Sequence, residues 1–466
     1  MRDKSPQNSV ISQNMQIAAH TLGCKLNSAE TSTIVGQFRV RDWEVTQSAE
    51  NANVYLLNTC SVTANAEREC RQIIRRILRQ NPKAFIAVTG CYAQLRPEEI
   101  ASIDGVDVVL GAKEKFNIFS HITSFEKLSA PKIFSSPIDE SVDFHLAATA
   151  DNDERTRAFL KVQDGCDYTC SFCTIPMARG QSRSAEIDHI ISEARRLSQD
   201  GFREIILSGV NVGDFGRKTG SSFYDLVKVI EEDEEITARI RISSIEPNLL
   251  TDEIIELVAN SKKFCPHFHI PLQSGSAKIL KLMQRRYTAD LYRSRIERIK
   301  ELMPNAGIGV DVIVGFPGET DEDFLESYNF INSLDISYLH VFTYSERPDT
   351  KATSMGSRVP IEKRKERNAM LRILSEKKRQ NFYQSQKGKI VDILLESHEQ
   401  AESDPLHPRE GYSENYVRVQ LSDHSLPHNA ELVRVELANC DGEAINAKCI
   451  EVLTCRADLS LLPILQ

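Results

Sequence analysis

Three cysteines, Cys166, Cys170 and Cys173, fall within eight positions of the stretch FLKVQDGCDYTCSFCTIP (159–176), in a chain of 466 residues with 11 cysteines. Thiolates so close together are metal ligands or reactive groups wherever the compartment keeps thiols reduced. A structural zinc site takes four protein ligands, and no second CxxC or HxxxH pair lies nearby to complete one. Three ligands leave one position open. A cubane [4Fe–4S] cluster held by three thiolates keeps its fourth iron free for a substrate or cofactor. Structural zinc and chance clustering are the competing readings of the triad.

A second set is spread out. Cys24, Cys60 and Cys91 lie 36 and 31 residues apart, each just after a strand-like run: QIAAHTLGC, VYLLNTC and FIAVTGC. One β-α-β unit takes about 30 residues. Neighbouring strands of a parallel sheet would therefore deliver all three thiols to one edge, where a second three-cysteine cluster could form. Free cysteine is also a common small core residue, and that reading stays open for this set. Cys70 lines up with Ile73, Ile74, Ile77 and Leu78 on one helical face and is expected in the core. Cys265, Cys440, Cys449 and Cys455 have no cluster-like spacing and are expected to be structural or incidental.

The elements that must position these residues follow from the apolar pattern. From 16 to about 125, short apolar runs alternate with helical patterns, which predicts a parallel sheet covered by helices. From 157 to about 350, six strand-like runs (AFLKVQ, EIILSG, RIRISS, HFHIP, IGVDVIVG and YLHVFTY) recur between helices. They predict an open or partial (β/α)6 barrel with its chemistry on the loops at the strand C-termini. Cys166 follows the first of these runs, so the CxxxCxxC loop is expected at the barrel mouth. After a charged helix near 361–386, short alternating strands (KIVDILLES, YVRVQL, ELVRVELAN, AKCIEVL) predict a small β-barrel. The stretch 135–156 is polar and aperiodic and reads as a linker. The class is α/β, with domains expected at 14–130, 152–384 and 385–456.

The C-x3-C-x2-C spacing, with Phe172 before its last cysteine, resembles the signature of the radical S-adenosylmethionine (SAM) enzymes. In that family the open iron is chelated by SAM, which is cleaved reductively to a 5′-deoxyadenosyl radical. Further stretches resemble the family's SAM-binding elements: LSGVNVGDFG (Gly209, Asn211), ISSIEP (Ser243, Ser244, Glu246) and DVIVGFPGET (Ile313, Gly315), the last with Asp311 where the family pattern has a glycine. TLGCKLNSAE, NTCSVTANAE and VTGCYAQ are similar to the N-terminal signature of the methylthiotransferases, a radical SAM branch with a second cluster. This resemblance covers essentially the whole chain, including a terminal barrel of the TRAM type. It implies an enzyme with two [4Fe–4S] clusters, one on Cys24, Cys60 and Cys91 and one on Cys166, Cys170 and Cys173. It also implies two uses of SAM, one as methyl donor and one as radical source, to insert a methylthio group at an unactivated C–H.

TLGCKLN is most similar to the branch acting at C2 of N6-threonylcarbamoyladenosine beside the tRNA anticodon. The alternatives within the family are isopentenyladenosine in tRNA and a ribosomal-protein aspartate. A non-catalytic iron–sulfur RNA-binding scaffold is the alternative of another class, and SAM-like elements weigh against it. Implied partners are a tRNA anticodon stem-loop and a flavodoxin- or ferredoxin-like electron donor.

Charge bears on the partner. The net charge of −9 speaks against a protein that coats nucleic acid. Two helices are locally basic: the first carries Arg68, Arg71, Arg75, Arg76 and Arg79, and the second spans EKRKERNAMLRILSEKKRQ. Either could contact phosphates or be an ordinary solvated face. Residues 381–466 hold seven Lys and Arg against fourteen Asp and Glu, a formal −7, so RNA contact by the terminal barrel would need Arg418, Arg434 and Lys448 concentrated on one face. The polar N-terminus lacks a signal-peptide core, and no run approaches the ~18 apolar residues of a membrane span. A cytoplasmic monomer without membrane contact is expected.

Overall fold

The computed structural model describes residues 15–48, 50–60, 64–138, 143–149, 156–396, 408–421, 426–441 and 443–455. The chain forms two compact units, Met1–Pro137 and Ile138–Gln466. In the first, six parallel strands run in the order β2-β1-β3-β4-β5-β6. They are β1 (Gln16–Thr21), β2 (Glu44–Val45), β3 (Val54–Thr59), β4 (Phe85–Gly90), β5 (Val108–Leu110) and β6 (Lys132–Phe134). The central strands VYLLNT and FIAVTG are buried at every residue, as the interior of a parallel sheet requires. The edge strands β2 and β6 are two and three residues long and mostly exposed, so they lack the apolar run by which sequence reveals a strand. Cys70 packs with Ile73, Ile74 and Ile77 of helix Ala64–Gln80 in the core.

The second unit opens with β7 (Ala147–Ala148), antiparallel to β8 (Arg157–Lys161). This strand falls inside the stretch read as a linker, of which residues 139–142 and 150–155 lie outside the described residues. A short antiparallel pair, β9 (Gln163–Asp164) and β10 (Arg183–Ser184), frames the cysteine loop. The barrel continues through β11 (Glu204–Ser208), β12 (Arg239–Ile242), β13 (His267–His269), β14 (Gly307–Val314) and β15 (Tyr338–Thr343). Strands β12-β11-β8 and β13-β14-β15 form two parallel sheets, joined by the bridges Ile240–Phe264 and Ser244–His269. Together they make a partial (β/α)6 barrel that is open along β15. On β14, Ile308, Val310, Val312 and Val314 belong to the main hydrophobic core, so Gly309, Asp311 and Ile313 turn to the opposite face.

Helix Ile361–Gln386 leads to a closed barrel of order β16-β17-β18-β20-β19, from β16 (Ile390–Leu395), β17 (Arg409–Ser413), β18 (Arg418–Leu421), β19 (Ala430–Asp441) and β20 (Ala444–Cys455). Strand β17, REGYS, escapes the sequence pattern because Gly and charged residues replace the alternation. The turn after it is fixed on the (β/α) barrel by buried charge. Arg241 and Arg239 both pair with Glu204, and Arg241 also donates to the carbonyls of Glu414 (2.8 Å) and Ser413 (3.3 Å). Asn415 donates to the Asn305 carbonyl at 2.8 Å, and the Tyr416 ring stacks on His267. Gly307 is required at this seam, since a Cβ there would lie 2.1 Å from the Asn415 carbonyl oxygen. Among the described residues no helix is long and apolar enough to cross a membrane.

Candidate metal centres

The barrel-mouth loop is built from charge. Asp164, at the end of β9, takes Arg179 at 2.9 Å and Lys161 at 3.3 Å, both buried, and the partly exposed Arg183 at 3.0 Å. Gly165 then turns the chain at φ +71°, where a Cβ would collide with the Gln181 carbonyl at 2.0 Å. The Cys166 amide donates to the Gly180 carbonyl, which fixes the base of the loop. Each sulfur receives an N–H: Tyr168 N on Cys166 at 3.4 Å, Ile175 N on Cys173 at 3.5 Å, and Arg285 Nη1 on Cys170 at 3.1 Å. Burial pushes the thiols of Cys166 and Cys173 up to about 12, and raises Cys170 against the opposing pull of Arg285. Bare, the triad is held as thiols. A bound metal reverses that balance by taking thiolates outright, and N–H groups aimed at sulfur suit an iron–sulfur cluster.

In the first unit, Cys24 follows β1 as the N-cap of helix Lys25–Arg39, Cys60 directly follows β3, and Cys91 follows β4 as the first residue of helix Cys91–Leu95. Because β1, β3 and β4 are parallel neighbours, the sheet brings the three positions to its C-terminal edge. Cys60 and Cys91 are buried and Cys24 is exposed. The approach is close: a Cβ on Gly23 (φ +103°) would lie 2.8 Å from Cys60 Sγ. Two buried asparagines lock this edge. Asn27 donates to the carbonyls of Leu22 and Thr59, and Asn58 to the Asn27 carbonyl and Thr31 Oγ1. Sequence reasoning passed over both, although KLN and NTC place them beside cysteines.

The SAM-like residues divide into groups. Asn211 Oδ1 accepts the Glu246 amide at 3.2 Å, and the Asn211 amide donates to Gln163 Oε1 at 2.9 Å. A Cβ at Gly209 would lie 2.9 Å from that same Gln163 oxygen. The Ser244 carbonyl accepts the Val212 amide. The Ser243 hydroxyl is buried with no hydrogen-bond partner among the described residues, as a group awaiting a polar ligand would be. Phe172 and Ile313 pack on one cluster with Phe316 and Tyr344. Gly315 (φ +75°) lies apart from a free surface: its amide donates to Glu319 Oε2, and Arg364 fills the space a Cβ would take.

Arg285, His269 and His340, which the sequence did not single out, contact residues that it did. Arg285 joins Cys170 to the buried carboxylate of Glu246. On the strands of the open side, His269 Nε2 (2.8 Å) and His340 Nδ1 (3.0 Å) both meet Asp311 Oδ1. Burial works to raise the Asp311 carboxyl, but the two imidazoles hold it well below the usual range. A carboxylate only accepts, so both rings donate. The alternation HFH and LHV on strands carried a signal for this cluster.

The basic stretches are only partly free. In helix Ile361–Gln386, Arg364 and Arg367 point inward, to the Tyr344 carbonyl and to Glu319, because they brace the loop after β14. Arg418 pairs with Glu410 and Glu443, and Arg434 with Asp392 and Glu451, so the terminal barrel neutralises those two cations. Arg68, Arg75, Arg76 and Arg79 are exposed on helix Ala64–Gln80, whereas Arg71 turns to Tyr92 and Glu99.

An open barrel of six parallel strands with a three-thiol loop after its first strand defines the radical SAM class. Residues 160–331 match the Radical SAM superfamily and 16–111 match Uncharacterized protein family UPF0004. The chain is 39% identical to the threonylcarbamoyladenosine tRNA methylthiotransferase MtaB of Aquifex aeolicus, over 87% of this chain and 100% of that one. It is also 39% identical to the MtaB of Bacillus subtilis, over 86% and 89%. Identity to the tRNA-2-methylthio-N(6)-dimethylallyladenosine synthase of Bacillus subtilis is 32%, over 93% and 86%. The radical SAM methyltransferase TsrM of Kitasatospora setae shares the fold, with TM-score 0.55 at 14% identity over 73% of this chain and 75% of that one. The chain belongs to the radical SAM methylthiotransferase family.

Proposed function

We propose that this enzyme inserts a methylthio group at C2 of N6-threonylcarbamoyladenosine beside the anticodon of tRNA, with SAM and two [4Fe–4S] clusters as cofactors. Cys166, Cys170 and Cys173 would hold the cluster that binds SAM, and Cys24, Cys60 and Cys91 the other. The observation that carries the reading is the pairing of two three-cysteine sets at strand ends with 39% identity across 86–87% of the chain to relatives named for this nucleoside. When bound, the clusters and SAM supply the electron, the methyl group and the sulfur chemistry.

The chain's own residues position and shield. The Tyr168 and Ile175 amides and Arg285 hold the sulfurs in a fixed orientation, and Glu246 fixes Arg285. The buried Ser243 hydroxyl offers a polar contact to a ligand at the end of β12. The barrel walls keep water from a reactive species. The anticodon loop is single-stranded, so its adenosine can be splayed into such a site. The exposed arginines of helix Ala64–Gln80 suit phosphate contacts, which position the RNA without reading sequence. A small low-potential flavodoxin or ferredoxin would serve as reductant, in the cytoplasm.

The test is deletion of the gene followed by mass spectrometry of nucleosides from total tRNA. The 2-methylthio derivative of the threonylcarbamoyl nucleoside should vanish and its parent accumulate. Loss of the dimethylallyl counterpart instead would transfer the enzyme to the branch represented by the 32%-identical relative.

A further inference from the structure

The mouth of the (β/α) barrel is charged against the trend of the chain. Its rim is made by the segments that follow the strands at their C-terminal ends: 165–182, 209–222, 243–251, 270–288, 315–320 and 344–360. These hold ten Lys and Arg against six Asp and Glu, a formal +4 in a chain of −9. Five of the six acids are held in ion pairs. Glu246 pairs with Arg285, Glu319 with Arg367, Glu346 with Arg364, and Asp167 and Asp214 with Arg217. The sixth, Asp349, stands two positions before Lys351.

Three of the cations are in another situation. Lys218, Arg286 and Lys351, on the segments after β11, β13 and β15, are exposed and enter no ion pair among the described residues. They surround the cysteine loop. Lys218 donates to Gln181 Oε1 at 2.9 Å. Arg286 donates to the Asp167 carbonyl at 2.8 Å and lies over the Tyr168 ring, 4.1 Å from its centroid. Lys351 donates to Gln284 Oε1 at 3.3 Å, the oxygen that also accepts the Thr169 hydroxyl. Each cation is therefore steadied beside the CxxxCxxC loop by a neutral acceptor that leaves its charge uncompensated. Gathering like charge on one rim costs self-repulsion, which an anion at the mouth relieves.

Resting on the substrate reading above, we infer that Lys218, Arg286 and Lys351 bind phosphates of the single-stranded anticodon loop on either side of the target adenosine and so hold its base over the cysteine loop. A base splayed into the barrel brings its own flanking phosphates to the rim, because the backbone it hangs from stays outside. Such contacts position the RNA without reading its sequence. An acidic electron carrier would need only one side of the loop, whereas these cations stand on three separate segments around it.

The test measures binding of reconstituted holoenzyme to a fluorescent anticodon stem-loop carrying threonylcarbamoyladenosine, over a range of salt concentration. For a single strand, each phosphate neutralised adds about 0.7 to the slope of log affinity against log salt, which at about 0.1 M salt is worth about fivefold. Lys218→Gln, Arg286→Gln and Lys351→Gln should each lower the slope by about 0.7 and the affinity by about fivefold. Lys218→Gln/Lys351→Gln should lower them by about 1.4 and about 25-fold. Lys218→Arg/Lys351→Arg should keep the wild-type slope, because charge decides it. In Lys218→Gln/Lys351→Gln the iron content and the RNA-independent formation of 5′-deoxyadenosine with dithionite should be unchanged. Uncharged methylphosphonates in place of the phosphates flanking the adenosine should weaken the wild type but cost this double variant little, since both changes remove the same contact. An unchanged slope in the double variant, or a methylphosphonate cost that adds in full to that of the variant, would overturn this inference alone. So would unaltered RNA binding with slower reduction by an acidic flavodoxin, which would give the rim to the electron carrier. A wild type that binds no anticodon stem-loop would overturn the substrate reading and this inference with it.

Discussion

Arg241→Met tests whether buried charge fastens the terminal barrel. Arg241 is almost fully buried; it pairs with Glu204 through Nε at 2.9 Å and Nη2 at 2.7 Å, and donates to two carbonyls of the turn after β17. Removing one partner of a buried pair costs about 3–5 kcal/mol, since the other charge and its acceptors lose their compensation. Arg239 remains on Glu204 at 2.6 Å, which places the loss near the lower end, about 3 kcal/mol. In urea that is a midpoint shift of about 1–2 M for the transition of the second unit. Adding Glu204→Gln should cost less in Arg241→Met than in the wild type, because the carboxylate has by then already lost one of its two cations. The pH dependence has a definite sign. Burial works to raise the Glu204 carboxyl, but Arg241 and Arg239 hold it well below the ordinary range. A depressed carboxyl stabilises the fold fully above its unfolded pKa, about 4.3, and progressively loses that contribution as pH falls below it. The acid slope below about pH 5 should therefore flatten in Arg241→Met. A midpoint shift below about 0.2 M, with no coupling between the two substitutions and an unchanged acid slope, would refute the reasoning.

Three further outcomes are expected. Reconstituted wild type should bind about eight irons per chain by the four-iron stoichiometry of each cubane, and Cys24→Ala/Cys60→Ala/Cys91→Ala about half; the latter should still cleave SAM, whereas Cys166→Ala/Cys170→Ala/Cys173→Ala should not. Arg285→Gln removes a cationic donor from Cys170 Sγ and should lower the reduction potential of the barrel cluster, read by redox titration of its electron paramagnetic resonance signal. Arg75→Gln/Arg76→Gln/Arg79→Gln should weaken tRNA binding across sequences and reduce the slope of log affinity against log salt by about one for each phosphate no longer neutralised, with cluster content unchanged.

Much of this protein is local in its chain and therefore legible there. The CxxxCxxC loop is contiguous, and its place after β8 followed from the strand-like run AFLKVQ that precedes it. The central strands of the first sheet were visible because burial on both faces forces unbroken apolar residues, and the barrel strands because apolar residues recur at least at every second position along them. Cys24, Cys60 and Cys91 could be placed on one edge because the β-α-β repeat fixes their spacing. What sequence concealed lies across the chain. Arg285 reaches Cys170 from 115 residues away, and Arg241 meets the turn after β17 from 172 and 173 residues away. In a sequence these are ordinary arginines; only folding removes water from them and decides which carboxylate or sulfur they must face. The same holds for the basic helix Ile361–Gln386, whose composition left phosphate contact and an ordinary solvated face both open. Its helical period turns Arg364 and Arg367 into the protein and leaves Arg372 exposed. Local pattern determines which element forms, whereas the tertiary structure decides which of its charges remain available to a substrate.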